Sequence, residues 1–376
     1  ISIWLVAAAI GVLGSSYAIF GGLKSVAVSD TLNGIGLLIG GLAIPFLALI
    51  SLGGGSFFEG LSILGTDNPE YLRVLTQNNL EGKPVTVPWP TLLTGMMFIQ
   101  IFYWSTNQVI VQRAMAAKSL AEGQKGVLFA SAMKLVGPIM LCLPGIIALH
   151  MPDLIIEKQD QVCGAVVRHV LPEWSLGLFA AVLMGSILSS FNSALNSAST
   201  LFSLQFYKGY INKNASDQEV VSTGRTFGIG LAVASIIIAP LLSQLDSIFQ
   251  YLQKVNGIYS VPIIAIFLLG ILTKHIPAIG AKIGMAVGFI SYAYFVFSPV
   301  ENFHWLHTYF ISFTWSIMVM LLIGYLKPKT EEEIKASDKR DPAPVDMTPW
   351  VKAKEASIAI VGTTFAIYLF LSWAAS

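Results

Sequence analysis

Apolar residues run through this chain in long blocks, and the polar stretches between the blocks are short. A bilayer core of about 30 Å needs roughly 17 to 25 apolar residues for each spanning helix. About ten windows reach that length, near residues 2–20, 26–52, 89–110, 126–149, 175–207, 223–243, 247–272, 279–298, 304–326 and 356–375. The pattern predicts an all-α polytopic membrane protein. Residues 53–88 carry GGG, TDNPEY and EGKP, where Gly, Pro and Asn punctuate any regular element, and read as an external loop. Residues 327–354, KPKTEEEIKASDKRDPAPVDMTPWVKAK, are charged and Pro-containing and read as a cytoplasmic linker before a last helix.

Within the fifth window the polarity changes around the helix. The stretch GSILSSFNSALNSASTLFS, residues 185–203, holds ten Ser, Thr or Asn residues and no charge. At about 100° per residue, Ser186, Ser189, Ser190, Ser193, Ser197 and Thr200 form one stripe, with Asn192, Asn196, Ser199 and Ser203 beside it. Ile187, Leu188, Phe191, Leu195 and Leu201 take the opposite half. Two readings fit the stripe. Small hydroxyl residues at this spacing let membrane helices approach closely and share hydrogen bonds. Their oxygens also suit a hard cation, which takes oxygen ligands and needs no formal charge from every donor.

Composition narrows the classes. Charged residues make up 11% of the 376, hydrophobic residues 55%, and the net charge of +1 implies no field for a polyanion. Nucleic-acid partners are excluded on that ground and by the lack of a basic-aromatic patch. Of the two cysteines, Cys142 sits in an apolar stretch and Cys163 in a polar loop, and the five histidines show no ligand spacing. Lys and Arg divide unevenly between the two sides. Sixteen fall on one side (Lys24, Arg113, Lys118, Lys125, Lys208, Lys213, Arg225, Lys274, Lys282 and the seven between Lys327 and Lys354), against Arg73, Lys83, Lys158 and Arg168 on the other. Positive charge marks the cytoplasmic side, so the first helix enters the cytoplasm and the last leaves it. Asn214-Ala-Ser216 matches a glycosylation sequon, but this orientation puts it inside, as a chance match. The chain begins at Ile1 inside an apolar run, without Met or a signal-peptide pattern, and an N-terminal portion is expected to precede it.

Two further groups of polar residues fall in or beside spanning windows. Asp30, in LKSVAVSDTLNG, is either an intramembrane carboxylate, which costs about 2.5 to 3.5 kcal/mol at a helix centre and marks function, or a hydrated interfacial one. Lys134 in FASAMKLVGPIM joins Gln100, Tyr103, Trp104, Asn107 and Gln108 in MMFIQIFYWSTNQVIVQR and Gln253 in FQYLQKVNG. Amides, an ammonium and aromatic faces together suit a neutral polyhydroxylated ligand, with the rings covering its C–H face. The alternative is a satisfied network between helices. No nucleophile with a base, phosphate-cradling loop or paired carboxylates is present, so the pattern does not predict an enzyme.

The stretches FGGLKSVAVSDTLNG, YWSTNQVIVQRAMAAKS, LSSFNSALNSASTLFSLQFYKGY, FQYLQKVNG and FLLGILTKH, spread over residues 20 to 275, resemble the solute:sodium symporter family. The pattern is closest to bacterial sodium/galactose symporters and their animal sodium/glucose relatives. The resemblance implies a LeuT-type inverted repeat of five plus five helices, with substrate and ion held near the midplane by interrupted helices. It implies that the chain starts at the fourth core helix, the first three being absent. Residues 1–52 would be the last two helices of the first repeat, 89–273 the second repeat, and 274–376 peripheral helices with the linker 327–354. Carried over by position, Ser189 and Ser190 supply hydroxyls to the principal sodium and Ser186 a carbonyl. Asp30 lies on the sodium release path and, with Asn192 and Ser193, at a possible second sodium site. Asn192 replaces a usual hydroxyl there, which counts against a second ion. Gln253 and Lys134 match sugar-contacting positions, Tyr103 the aromatic inner gate, and Gln100 stands where sugar transporters have Asn or Thr.

The expectation is sodium-coupled symport of a hexose or related polyol by alternating access, in the plasma or inner membrane, with Na⁺ as coupling ion and no other cofactor. Sialic acid, myo-inositol or an amino acid such as proline are the alternatives within the family. A non-transporting membrane sensor is the alternative outside it.

Overall fold

The computed structural model describes residues 2–67, 72, 85, 87–156, 158–245, 247–298, 303–338 and 345–374, without the side chains of 17–27, 159, 336–338 and 372–374. The Lys24 side chain, Arg73, Lys83, Lys339, Arg340, EGKP and most of TDNPEY lie outside the described residues. In chain order the helices are α1 (Ile3–Leu52), α2 (Phe57–Thr66), α3 (Met97–Ser105), α4 (Gln108–Met115), α5 (Leu120–Lys134), α6 (Gly137–Leu141), α7 (Leu143–Ala148) and α8 (Val162–Val170). They continue with α9 (Glu173–Leu201), α10 (Asp217–Ile238), α11 (Ile248–Leu272), α12 (Ala278–Phe297), α13 (Thr308–Leu326), α14 (Glu331–Asp338) and α15 (Ala353–Ala374). Two π-helical segments, Leu92–Met96 and Phe202–Ile211, lead into α3 and out of α9.

Among the described residues seven helices are long and apolar enough to cross a membrane. An eighth span forms if α5 and the pair α6–α7, bent by 45°, are taken together. The other two windows are accounted for by a shorter apolar helix, Ile3–Ser16, and by a run that breaks between α3 and α4. Hydropathy counts apolar residues and is blind to such a break. Large apolar side chains such as Leu32, Ile39 and Ile290 face outward, whereas Ser260, Thr308, Ser312 and Ser316 are fully buried. Small polar residues inside and apolar ones outside is the packing of helices in lipid.

The chain forms two compact units, Ile1–Leu72 with Val127–Ile248 and Glu355–Ser376, and Arg73–Gly126 with Phe249–Lys354. In the first, α1 lies along α9, with Gly36 against Val182 and Gly40 against Phe179. Gly14 also meets α9, at Leu188, Phe191 and Asn192, and Asp30 meets it at Ser189. Sixteen residues of straight helix would separate those two contacts by about 24 Å, yet they fall on one turn of α9. The helical run of α1 therefore bends between Gly14 and Asp30. After α1 the chain reverses at Gly54 and Gly55, whose φ values of 59° and 108° favour glycine, and Ser56 caps α2. Ile44, Ala48, Leu64, Ile147 and Val166 close a core at this end. At the other end Phe202 stacks on Phe227 with ring centroids 4.0 Å apart. Ser216 of the sequon is committed to a capping box with Glu219 at the start of α10.

The second unit is held by α11, α12 and α13. Gly280, Gly284 and Gly288 give α12 a smooth edge, on which Ile323, Met320 and Ser316 of α13 sit. Ser312 Oγ donates to the Gly288 carbonyl at 2.8 Å. The buried Ser316 and Ser260 hydroxyls have no hydrogen-bond partner. An unpartnered buried hydroxyl is a net cost of about 1–3 kcal/mol, so Ser316→Ala is expected to leave the thermal midpoint in detergent unchanged or raise it. A fall of several degrees would show that the hydroxyl is in use.

Part of the 327–354 linker is more ordered than its composition predicts. It contains α14, and farther along Asp346 pairs with the stretch before α5: the Leu120 amide donates to its carbonyl at 2.9 Å. The Trp350 amide donates to Gln124 Oε1 at 2.7 Å. Thr348 donates its hydroxyl and its amide to the Asp346 carboxylate, which holds that carboxyl below its ordinary range.

Candidate functional site

The hydroxyl stripe of α9 sorts into two kinds of residue. Ser193 Oγ donates to the Ser189 carbonyl at 2.8 Å, Ser197 Oγ to Ser193 at 2.7 Å and Thr200 Oγ1 to Asn196 at 2.8 Å. These hydroxyls bond back onto their own helix, four residues earlier. Ser189 does something else: its hydroxyl donates to Asp30 Oδ1 of α1. That is a bond from a hydroxyl to a carboxylate on a different stretch of helix, and it ties α9 to α1. Ser186 is half-buried and Ser190 exposed, on the same turn as Ser189. Ser189 thus meets a carboxylate from α1, and Ser186 and Ser190 lie on the same turn of α9. This donor set is entirely oxygen, which suits a hard monovalent or divalent cation.

Asn192 is fully buried, and neither atom of its amide has a hydrogen-bond partner. Its Oδ1 faces Gly14, with a distance of 3.4 Å to where a methyl group would stand. Of the trio Asp30, Asn192 and Ser193, Asp30 reaches Ser189, Ser193 bonds to the Ser189 carbonyl, and Asn192 points at Gly14. Asn33 joins this neighbourhood without having been singled out: it sits against Gly185 and donates to Ser29 Oγ at 3.3 Å. The signal was available, since Asn33 follows Asp30 by three residues and shares its face.

The residues proposed for the solute divide between the units. Gln100 and Tyr103 lie three apart on the exposed face of α3, opposite the buried Phe98, Ile99 and Phe102. Tyr103 meets Trp104 edge to face at 5.6 Å. The helix stops just beyond: Thr106 leaves the helical region, and extended Asn107 accepts from the Val109 amide at 2.9 Å to start α4. The 89–110 window is therefore an interrupted helix, as the family resemblance implies. Gln253 is half-buried on α11, and its carbonyl accepts from Tyr309 Oη at 2.7 Å. Lys134 belongs to the other unit and is the last residue of α5, at the break before α6. An ammonium there is favoured by the C-terminal end of the helix dipole.

Comparison with known proteins gives a consistent result. A model of the sodium:solute symporter family matches residues 1–288. Over 373 residues the chain is 41% identical to the Escherichia coli (strain K12) protein named uncharacterized symporter YidK, covering 99% of this chain and 63% of that protein. It is 34% identical to a sodium/glucose cotransporter of Vibrio parahaemolyticus over 314 residues, 76% of this chain and 55% of that protein. The chain thus spans less than two thirds of the length of these relatives. Among solved structures, a Na⁺-coupled sialic acid symporter in a substrate-bound outward-open state matches with a TM-score of 0.74 at 19% identity, covering 88% of this chain and 68% of that one. That likeness shows the LeuT-type helical fold expected from the sequence motifs.

Proposed function

Because this chain belongs to the sodium:solute symporter family and is built as a multi-pass integral membrane protein, we propose that it serves sodium-coupled symport of a hexose or related polyol. The observation that carries the ion half of this reading is the bond from Ser189 to Asp30, with Ser186 and Ser190 on the same turn. Sodium would be held by lone pairs of these oxygens, the hydroxyls keeping their protons and the Ser189 proton turning away from the ion. Ser189 and Ser190 hold the ion by their hydroxyls, Ser186 by its carbonyl, and Asp30 attracts it and passes it toward the cytoplasm. Ion binding ties α1 to α9 and favours the outward-open state. By the family resemblance Gln253, Lys134 and Gln100 are each carried over as solute contacts, and rotation of Tyr103 opens the inner path. One sodium entering across 100 mV supplies about 2.3 kcal/mol. That sustains roughly a fifty-fold solute gradient, at about 1.4 kcal/mol for each factor of ten.

A second reading keeps the ion and changes the solute. The positive charge of Lys134 at the end of α5 suits a carboxylate, such as that of sialic acid. Uptake of labelled D-glucose, D-galactose, myo-inositol and sialic acid into proteoliposomes of the complete gene product separates the two. The expected outcome is accumulation of a hexose or of myo-inositol that collapses without a sodium gradient. Accumulation of sialic acid alone moves the assignment to the carboxylate reading. Indifference of all four to sodium overturns the proposal.

A further inference from the structure

We propose that Tyr292 and Tyr309 are positioning residues for the solute site, fixing the backbone of α11 at Gln253 and Lys254 and with it the placement of the Gln253 amide. The inference rests on the reading of Gln253 as a solute contact. It concerns two residues from α12 and α13, helices whose sequence shows nothing but apolar span.

Tyr309 Oη donates to the Gln253 carbonyl at 2.7 Å, and Tyr292 Oη donates to the Lys254 carbonyl at 2.9 Å. In an α-helix both carbonyls already accept the amide four residues on, so the tyrosines occupy their second lone pairs. The backbone did not need these bonds for satisfaction, and their effect is to set its position. Both rings are completely buried, with centroids 5.5 Å apart, and reach α11 from two different helices. Gly257 makes the approach possible, because a methyl group there would overlap Tyr292 Oη and Tyr309 Cε1. Trp305 extends the contact: its ring lies 5.9 Å from that of Tyr309, and Lys254 Nζ stands 5.6 Å from its centroid. Two successive carbonyls and one side chain of α11 are thus held from outside the helix. The Gln253 side chain, half-buried, extends from the point so held. A ligand-binding amide works best when its attachment is already immobile, since the solute then pays less to order it.

The test uses Tyr309→Phe, which keeps the buried ring and removes the donor. In proteoliposomes of the complete gene product, with labelled D-glucose, D-galactose and myo-inositol as probes, the half-saturating solute concentration is expected to rise about three- to tenfold, the effect of one ordinary hydrogen bond. Half-saturation by sodium should move less than twofold. Gln253→Ala alone should weaken the solute by about tenfold or more, and adding Tyr309→Phe to it should then change little. Full additivity would mean that the tyrosine acts on stability alone and overturns the proposal. A second measurement does not depend on the solute. With Cys142→Ala and Cys163→Ala as background, the reaction of Gln253→Cys with a methanethiosulfonate reagent is expected to change at least threefold when Tyr309→Phe is added. An unchanged rate overturns the positioning role. If Gln253→Ala leaves every solute untouched, the solute reading of Gln253 fails, and the thiol measurement still decides whether the tyrosines place that residue.

Discussion

Ser189→Ala is expected to raise the sodium concentration for half-maximal uptake by roughly ten- to a hundredfold. The substitution removes one oxygen from the proposed ion set and leaves the Asp30 carboxylate without the hydroxyl that donates to it. Hydrogen bonds to a charged group are worth about 1.5–3 kcal/mol, and each 1.4 kcal/mol is a factor of ten in affinity. Solute half-saturation measured at saturating sodium should move far less. Ser197→Ala is the control, because Ser197 Oγ donates to the Ser193 carbonyl of its own helix. Its loss frees a carbonyl already bonded in the helix and should not alter the sodium dependence. If both alanines shift sodium equally, the stripe of α9 is a packing surface and the ion reading falls.

Gly257→Ala is expected to be the most damaging single methyl group in the second unit. It would overlap Tyr292 and Tyr309, two rings with no exposed surface and no direction in which to retreat. Overpacking of this kind costs about 1–3 kcal/mol and often more where the obstacle is rigid. The thermal midpoint in detergent should fall by several degrees or the protein should fail to accumulate. Gly270→Ala on the same helix meets nothing within 4 Å. It should be neutral or stabilising by up to about 1 kcal/mol, the helix preference of alanine over glycine. Equal behaviour of the two variants would show that α11 does not approach α12 and α13 as closely as described.

Residue periodicity made the α9 stripe visible, and the motifs around it made the fold and family visible. It could not show which hydroxyls were spoken for. Ser193, Ser197 and Thr200 share a face with Ser189, and only the position of α1 distinguishes the one that meets Asp30. The break between α3 and α4 is marked in the sequence by the polar run Ser105-Thr106-Asn107-Gln108, which a window as long as 89–110 averages away, and the family resemblance alone gave it meaning. Tyr292 and Tyr309 were invisible for a different reason. A tyrosine in an apolar window reads as bulk, and its hydroxyl acquires meaning only from the carbonyl it finds. Charge and proline marked 327–354 as a linker but could not show that Asp346 and Thr348 form a local turn that allows Asp346 and Trp350 to dock beside α5.

The smooth edge of α12 constrains how this protein can change over generations. Outward positions such as Phe289 and Ile290 can exchange one apolar residue for another, because lipid adapts to their shape. Gly284 and Gly288 have no such freedom: Met320 and the Ser316 carbonyl crowd the first, and Ser316 together with Pro262 of α11 the second. A larger residue can enter at Gly284 only if Met320 gives way, and at Gly288 only if both α11 and α13 do. Drift along this seam is therefore coupled across helices, and a tolerated substitution at Gly284 or Gly288 in a variant library should be found only together with changes in the residues that crowd it.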